Sequence, residues 1–224
     1  MSNFDEIEFA ENPDSRCAVS LIIDASTSMV EVRPGETISP MDALNSGLDS
    51  LVTALNKDPL AKRRVEISFV VYGTNVAPAT DFMTIDNLVI PTLMPSGTTS
   101  TGAAVVEALD SLEVRKKTYR ENGVSYYRPI IMLITDGLST DDTTEAKKRL
   151  RELSENKKAT FMPIAVEGAD IPALEELAGK SVKKLSALKF EELFIWLSAS
   201  LSAVSSSQPG DKVMAPPTDD WAEL

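Results

Sequence analysis

Short apolar runs of strand length alternate along this chain with longer stretches in which apolar residues recur at helical spacing. Residues 18–23 form a nearly continuous apolar run, a pattern typical of a strand that is covered on both faces. Ser39-Pro40 marks a helix start, and an apolar stripe follows as far as Asp58-Pro59. The same two patterns predict strands over residues 65–72, 130–134, 161–166 and 182–185, and helices over residues 104–112, 146–153, 171–178 and 190–204.

Three local features refine these predictions. Residues 81–93 carry a weaker pattern, in which we place one antiparallel edge strand. Pro163 lies inside a predicted strand, and because proline cannot donate to a β-ladder we expect that strand at an edge or a bulge. Asp142 and Glu145 have the spacing of a helix capping box.

The alternation of strands and helices predicts an α/β fold with a doubly wound, mostly parallel central sheet, one antiparallel edge strand and helices on both faces. We divide the chain into a lead-in (residues 1–15), one domain (residues 16–205) and a tail (residues 206–224). The tail is rich in Ser, Pro and Asp, and we expect it to be mobile. Trp221 within it is interpreted either as folding back on the domain or as a docking motif for a partner.

The charge and the residue composition exclude several classes of function. The net charge is −12, from 34 acidic and 22 basic residues, which argues against binding to nucleic acid or to anionic membranes. Histidine is absent and Cys17 is the single cysteine, so Ser-His or Cys-His catalysis and zinc sites with imidazole or several thiolates are excluded. We find no membrane-spanning run and no secretory signal at the N-terminus, and we expect a cytoplasmic protein.

Polar side chains follow the predicted strands where open α/β sheets bind ligands, at the carboxyl ends of the strands. They provide carboxylate and hydroxyl oxygens, without nitrogen or sulfur. In the segment Asp24-Ala25-Ser26-Thr27-Ser28, residues two apart can face the same side, and Thr98, Thr99 and Asp136 lie on other loops of the same edge. Such an oxygen set suits Mg²⁺, with Mn²⁺ or Ca²⁺ as alternatives, and it leaves a position for an incoming carboxylate.

Three segments, in order, carry a resemblance to a known family. Residues 22–29 (IIDASTSM) closely resemble the signature of von Willebrand factor type A (VWA) domains, and residues 97–102 and 134–137 resemble its second and third segments. Together they resemble a complete metal-ion-dependent adhesion site (MIDAS). Residues 122–129 and 166–170 are similar to the TerY/YegL-like bacterial group, which is linked to tellurium resistance. The resemblance covers residues 16–205 and implies a Rossmann-like fold.

The resemblance also implies roles for individual residues. Ser26, Ser28 and Thr99 would bind the metal through their hydroxyls, and Asp24 and Asp136 directly or through water. The expected ion is Mg²⁺, and an Asp or Glu of a protein partner would complete its shell. Proteins similar to this group are often encoded beside a kinase and a phosphatase, which makes these candidate partners in phosphorylation signalling or stress response. Thr98 stands where the family commonly has glycine. The resemblance implies a binding module rather than an enzyme.

The same residues allow other interpretations. Asp24 and Asp136 taken singly could be turn formers. The glycine spacing of residues 97–102 is like that of a Walker A loop, but Ala103-Ala104 stand where Lys and Ser/Thr are required. Asp24 at a strand end could be the nucleophile of a metal-dependent phosphohydrolase, although Ser26 stands where such enzymes have a second acid. A scaffold that contacts partners through its helices and tail is the third hypothesis.

Overall fold

The computed structural model describes residues 9, 11–218 and 220–223, so most of the predicted lead-in lies outside the described residues. The strands in the described part are β1 (Cys17–Asp24), β2 (Val65–Tyr72), β3 (Met83–Thr84), β4 (Ile130–Thr135), β5 (Thr160–Ala165), β6 (Lys183–Leu185) and β7 (Ala222–Glu223). The helices are α1 (Pro40–Asn56), α2 (Pro59–Arg64), α3 (Thr101–Glu121), α4 (Thr144–Glu155), α5 (Ile171–Ala178) and α6 (Phe190–Ser205). Within these residues, no helix is long and apolar enough to cross a membrane.

The strands form one sheet in the order β3-β2-β1-β4-β5-β6-β7. β1 pairs in parallel with β2 on one side and with β4 on the other, so it lies inside the sheet. This confirms the predicted doubly wound, mostly parallel α/β fold. β3 is the expected antiparallel edge strand. The structure adds a second antiparallel edge, where β7 pairs with β6.

Both faces of the sheet are covered, which explains why the strands have apolar runs without polar alternation. Every residue of β1 is buried. Val19, Leu21 and Ile23 pack with α1 and α6 on one face, and Ala18 and Ile22 pack with α3, α4 and α5 on the other. β1 is thereby fixed from both sides, and the loop that follows it starts from a rigid element.

The helix starts agree with the sequence in one case and differ in another. Ser39 caps α1 with a reciprocal capping box to Asp42, as the Ser-Pro pair predicted. The predicted box from Asp142 to Glu145 is wrong, because α4 begins at Thr144 and Thr143 is its cap residue. The Asp142 carboxylate instead accepts hydrogen bonds from the amide and hydroxyl of Thr144, in a local turn ahead of the helix.

The placement expected for Pro163 is also wrong. β5 lies between β4 and β6, and Pro163 is in register with Leu133 of β4. The amides of Thr160 and Val166 donate to the β4 side, so by strand alternation the nitrogen of Pro163 faces the β6 side. There the ladder begins only at Ile164. The missing N–H therefore falls just before the short β6 and breaks no ladder bond.

The end of the tail packs against the domain, contrary to the expectation of a mobile segment, whereas residues 208–212 are exposed. Trp221 is fully buried, and its ring lies 5.3 Å from that of Trp196 on α6. The indole Nε1 of Trp196 donates to the carbonyl of Pro216 at 2.8 Å, and β7 then joins the sheet edge. Of the two interpretations of Trp221, the structure shows the one in which it folds back.

Candidate metal-binding site

The topology brings the predicted site segments to one edge of the sheet. Asp24 is the last residue of β1, and Asp136 directly follows β4. These strands are parallel neighbours with Ile23 in register with Ile134, so their following loops leave from adjacent positions. Thr99 lies on the loop that precedes α3. We refer to Asp24, Ser26, Ser28, Thr99 and Asp136 as the acid–hydroxyl site.

The carboxylate of Asp24 is held on both oxygens. Oδ1 accepts a hydrogen bond from the backbone N–H of Ser26 at 2.8 Å, and Oδ2 accepts one from the hydroxyl of Thr135 at 2.5 Å. The residue has no solvent-exposed surface. Burial raises the pKa of Asp24, the hydrogen bonds from Thr135 and Ser26 oppose that shift, and the nearby charge of Asp136 adds to it. Asp24 is thus a fixed carboxylate that has no paired cation among the described residues.

The hydroxyls of Ser26 and Ser28 connect the segment that begins at Asp24 to Asp136. The Oγ atoms of Ser26 and Ser28 are 3.0 Å apart, and the Ser28 hydroxyl donates to Oδ1 of Asp136 at 2.7 Å. Because Ser28 uses its hydrogen on Asp136, it accepts the hydrogen bond from Ser26, and one lone pair of its oxygen stays available to another group. The Asp-x-Ser-x-Ser spacing therefore places its three side chains in one connected polar cluster.

Thr99 reaches the same place from the second segment. It is buried, and a Cβ built on Gly137 would lie only 2.9 Å from its Oγ1. Gly137 is therefore required by the close approach of the two loops. The neighbouring Thr98 is exposed, and its amide donates to the hydroxyl of Thr74 at 2.9 Å. The structure turns Thr99 towards the loop of Asp136 and Thr98 towards another loop.

The loop that carries Thr99 is anchored to the loop after β4. Asp141 accepts hydrogen bonds from the amides of Gly102 and Ala103 in the first turn of α3, at 3.0 and 2.8 Å. A Cβ on Gly102 would lie 2.4 Å from the carbonyl oxygen of Asp142, so only glycine fits there. Sequence reasoning missed Asp141, although its position just after the third segment was a usable signal.

Arg33 is a member of the surroundings that sequence reasoning did not find. Its Nη2 lies 2.6 Å from Oδ2 of Asp136, and its side chain is 16% exposed. Its Nη1 is buried and has no acceptor among the described residues. Arg33 lies four residues after the first motif segment but outside all three segments, and its contact with Asp136 joins residues 103 positions apart, so no local pattern predicted its role. Thr135, the hydroxyl partner of Asp24, was likewise overlooked.

The chemistry of this set fits a hard divalent cation. It comprises two carboxylates and three hydroxyls, all oxygen donors. Within the described part of the chain, no three Asp, Glu or Cys side chains gather closely enough to hold a metal. Any ion at this edge of the sheet would therefore depend on the hydroxyls of Ser26, Ser28 and Thr99 together with the two carboxylates.

Comparison with known families settles the classification. The sequence model of the von Willebrand factor type A domain matches residues 19–193. The chain belongs to the VWA domain family. VWA domains are typically non-catalytic modules that bind other proteins. No curated protein matches this VWA domain.

Solved structures agree on the fold of this VWA domain. It is similar to proximal thread matrix protein 1 of the mussel byssus (TM-score 0.55, 16% identity, 84% of this chain and 48% of the other). It is also similar to the PilB minor pilin of Streptococcus sanguinis (TM-score 0.58, 15% identity, 84% of this chain and 62% of the other). A third similar structure is the pilus adhesin SpaC of Lactobacillus rhamnosus GG (TM-score 0.62, 10% identity, 84% of this chain and 31% of the other). The chain spans about one third to three fifths of the length of these proteins, and at such low identity the likeness concerns the fold alone.

Proposed function

We propose that this VWA domain binds a protein partner through a divalent cation held by the acid–hydroxyl site. An Asp or Glu side chain of the partner completes the shell of the ion. The observation that carries the proposal is the connected cluster from Asp24 through Ser26 and Ser28 to Asp136. Such a cluster keeps its members together before any ion arrives, which lowers the entropic cost of binding.

Mg²⁺ is the ion that we propose, with Mn²⁺ or Ca²⁺ as alternatives. When bound, Mg²⁺ offers an exchangeable position that a carboxylate can take. The protein residues supply the rest: Thr135 and the Ser26 amide orient Asp24, and Ser28 orients Asp136. Because the two carboxylates are fixed on loops that leave adjacent strands, the site is preorganised.

The nature of the partner is a further part of the proposal. We place the chain in the TerY/YegL-like group linked to tellurium resistance, on the resemblance of residues 122–129 and 166–170. A kinase or phosphatase encoded nearby in a cytoplasmic stress response is then the candidate partner. Affinity capture from native lysate, with Mg²⁺ or with chelator, tests this idea. Capture of neither enzyme, or equal capture under both conditions, would remove it.

The decisive experiment for the metal is calorimetric titration of Mg²⁺ into metal-stripped protein. We expect saturable binding by the wild type and its loss in Asp24→Asn and Ser28→Ala. Asp86→Asn is a matched control, because Asp86 is an exposed residue that pairs with Lys62 away from the site. Equal binding by the wild type and both site variants would refute the metal proposal.

The phosphohydrolase alternative finds no support in the geometry of Asp24. Both carboxylate oxygens already accept hydrogen bonds, and the residue is fully buried. A nucleophile needs an oxygen that touches its substrate directly, whereas a cation can be held by a carboxylate through an intervening water. We expect no turnover in a generic phosphatase assay with Mg²⁺. Turnover that disappears in Asp24→Asn would revive the alternative.

A further inference from the structure

Arg33 lies at the acid–hydroxyl site without belonging to any of its motif segments. Its guanidinium forms a 2.6 Å ion pair with Oδ2 of Asp136, while the Ser28 hydroxyl binds Oδ1 of the same carboxylate. The Asp136 side chain is 1% exposed and that of Arg33 is 16% exposed. The pair is therefore largely shielded from solvent, where ion pairs are screened less than at the surface.

Apart from Asp136, the described residues offer the guanidinium of Arg33 little polar contact. Nη1 is buried without an acceptor among the described residues, which is an unfavourable state for a donor. Gly168, whose φ of +96° favours glycine, lies beside the pair, and a Cβ built on it would be 4.0 Å from Nη2 of Arg33, an ordinary contact. Asp136 is thus the polar contact that holds the guanidinium.

The consequence is a change in the charge of the site. Asp24 and Asp136 alone would match the charge of a divalent cation, and the complex would be neutral. With the guanidinium of Arg33 beside Asp136, the same complex keeps one positive charge. A monovalent carboxylate then completes the neutralisation. The arginine should weaken the hold on the cation and strengthen the hold on an acidic partner.

We propose that Arg33 sets the specificity of the site for an anionic partner group, by lowering affinity for the cation and raising affinity for the carboxylate that follows. This inference rests on the proposed function of the site. Arg33 acts through Asp136 and the local field, so it is a positioning and charge-setting residue. Because the guanidinium contacts a carboxylate that would hold the ion, a water-like dielectric at a separation on the order of 5–6 Å would already correspond to about a tenfold change in the affinity for a divalent ion.

The test uses the full chain with Arg33→Gln, which removes the charge, and Arg33→Lys, which keeps it. Arg128→Gln is the control for net charge. Arg128 is exposed and precedes the N-terminal end of β4, whereas the acid–hydroxyl site lies at the carboxyl ends of the strands. Mg²⁺ is titrated into each metal-stripped protein by calorimetry. We expect Arg33→Gln to bind Mg²⁺ about tenfold more tightly than wild type, while Arg33→Lys and Arg128→Gln stay near wild type.

A second arm uses acetate as the simplest carboxylate. Mg²⁺ affinity is measured in acetate and in chloride at equal ionic strength, so that any gain in acetate reports coupling between ion and carboxylate. We expect the gain to fall about threefold in Arg33→Gln relative to wild type. A structural role for Arg33 would lower Mg²⁺ affinity instead of raising it. Urea unfolding of each variant checks the fold independently.

The outcomes separate the two proposals. If the wild type binds Mg²⁺ and Arg33→Gln binds it equally or more weakly, the role of Arg33 is refuted and the metal site stands. If Arg33→Gln binds while the wild type binds too weakly to detect, the inference is supported. If none of the proteins binds Mg²⁺, the proposed function fails and this inference fails with it.

Discussion

Two sets of buried carboxylates lie at opposite ends of the sheet, and they are compensated in opposite ways. At the carboxyl ends of the strands are Asp24 and Asp136. At the other end is Glu66, the second residue of β2, which is fully buried. We name Arg16, Glu66, Arg115 and Tyr119 the Glu66 cluster. Its Glu66 oxygens accept from Nε of Arg16 at 2.8 Å and from Nε of Arg115 at 2.9 Å.

The Glu66 cluster is closed and rich in positive charge. One carboxylate meets two guanidiniums and the hydroxyl of Tyr119, and both guanidiniums lie over the ring of Phe9 at 5.2 and 5.0 Å. The acid–hydroxyl site has two carboxylates, one guanidinium and neutral hydroxyls. The comparison teaches that burial alone does not mark a functional carboxylate. We base the proposed function on Asp24 instead, which has no paired cation among the described residues.

The largest effect should come from Glu66→Gln. This change leaves the guanidiniums of Arg16 and Arg115 without their counter-charge in a buried place, and breaking such a network costs about 3–5 kcal/mol. Urea unfolding in the absence of metal measures it. Glu121→Gln is the control, since Glu121 pairs with Lys117 and both side chains are exposed on α3; there we expect a loss below about 1 kcal/mol. Similarly small losses in the free energy of unfolding in both variants would mean that the Glu66 cluster does not stabilise the fold.

The reaction rate of the Cys17 thiol measures how readily the structure opens at the same end of the sheet. Its thiol is fully buried, and burial, together with the charge of Glu66, raises its pKa to about 12. Since the thiolate is the reactive form, the native wild type should react with a disulfide reagent only through opening of the structure. If Glu66→Gln lowers the opening free energy by about 3 kcal/mol, the reaction should accelerate roughly a hundredfold. An unchanged rate in Glu66→Gln would contradict this coupling.

The sequence was sufficient to predict the fold, and it selected candidate residues that the structure brings to one end of the strands, because both depend on local patterns. The apolar run of β1 and the Asp-x-Ser-x-Ser segment are contiguous, and the sheet topology brings the loops after β1 and β4 together. Thr99 was chosen over Thr98 from the family resemblance, and the structure buries Thr99 while exposing Thr98. The metal itself remains a prediction.

The remaining features depend on contacts between distant residues without a periodic signature. Arg33 meets Asp136 across 103 positions, and Arg16 meets Glu66 across 50. The apolar run of residues 65–72 predicted a strand but gave no indication that its glutamate is buried. The tail was misread because its Pro-rich composition resembles a linker, whereas Trp221 provides enough apolar surface to hold it against α6.

The smallest effect, and the sharpest contrast, should come from Asp24→Asn in metal-free protein. It is the same change, carboxylate to amide, at an equally buried position. The raised pKa of Asp24 means that folding favours the uncharged side chain, because burial outweighs the hydrogen bonds from Thr135 and Ser26. The amide oxygen can still accept from the Ser26 N–H, and the amide nitrogen can donate to the Thr135 hydroxyl. We therefore expect stability within about 1 kcal/mol of wild type, measured by urea unfolding with chelator present. A loss as large as that of Glu66→Gln would show that Asp24 is a structural anion, and the contrast between the two ends of the sheet would disappear.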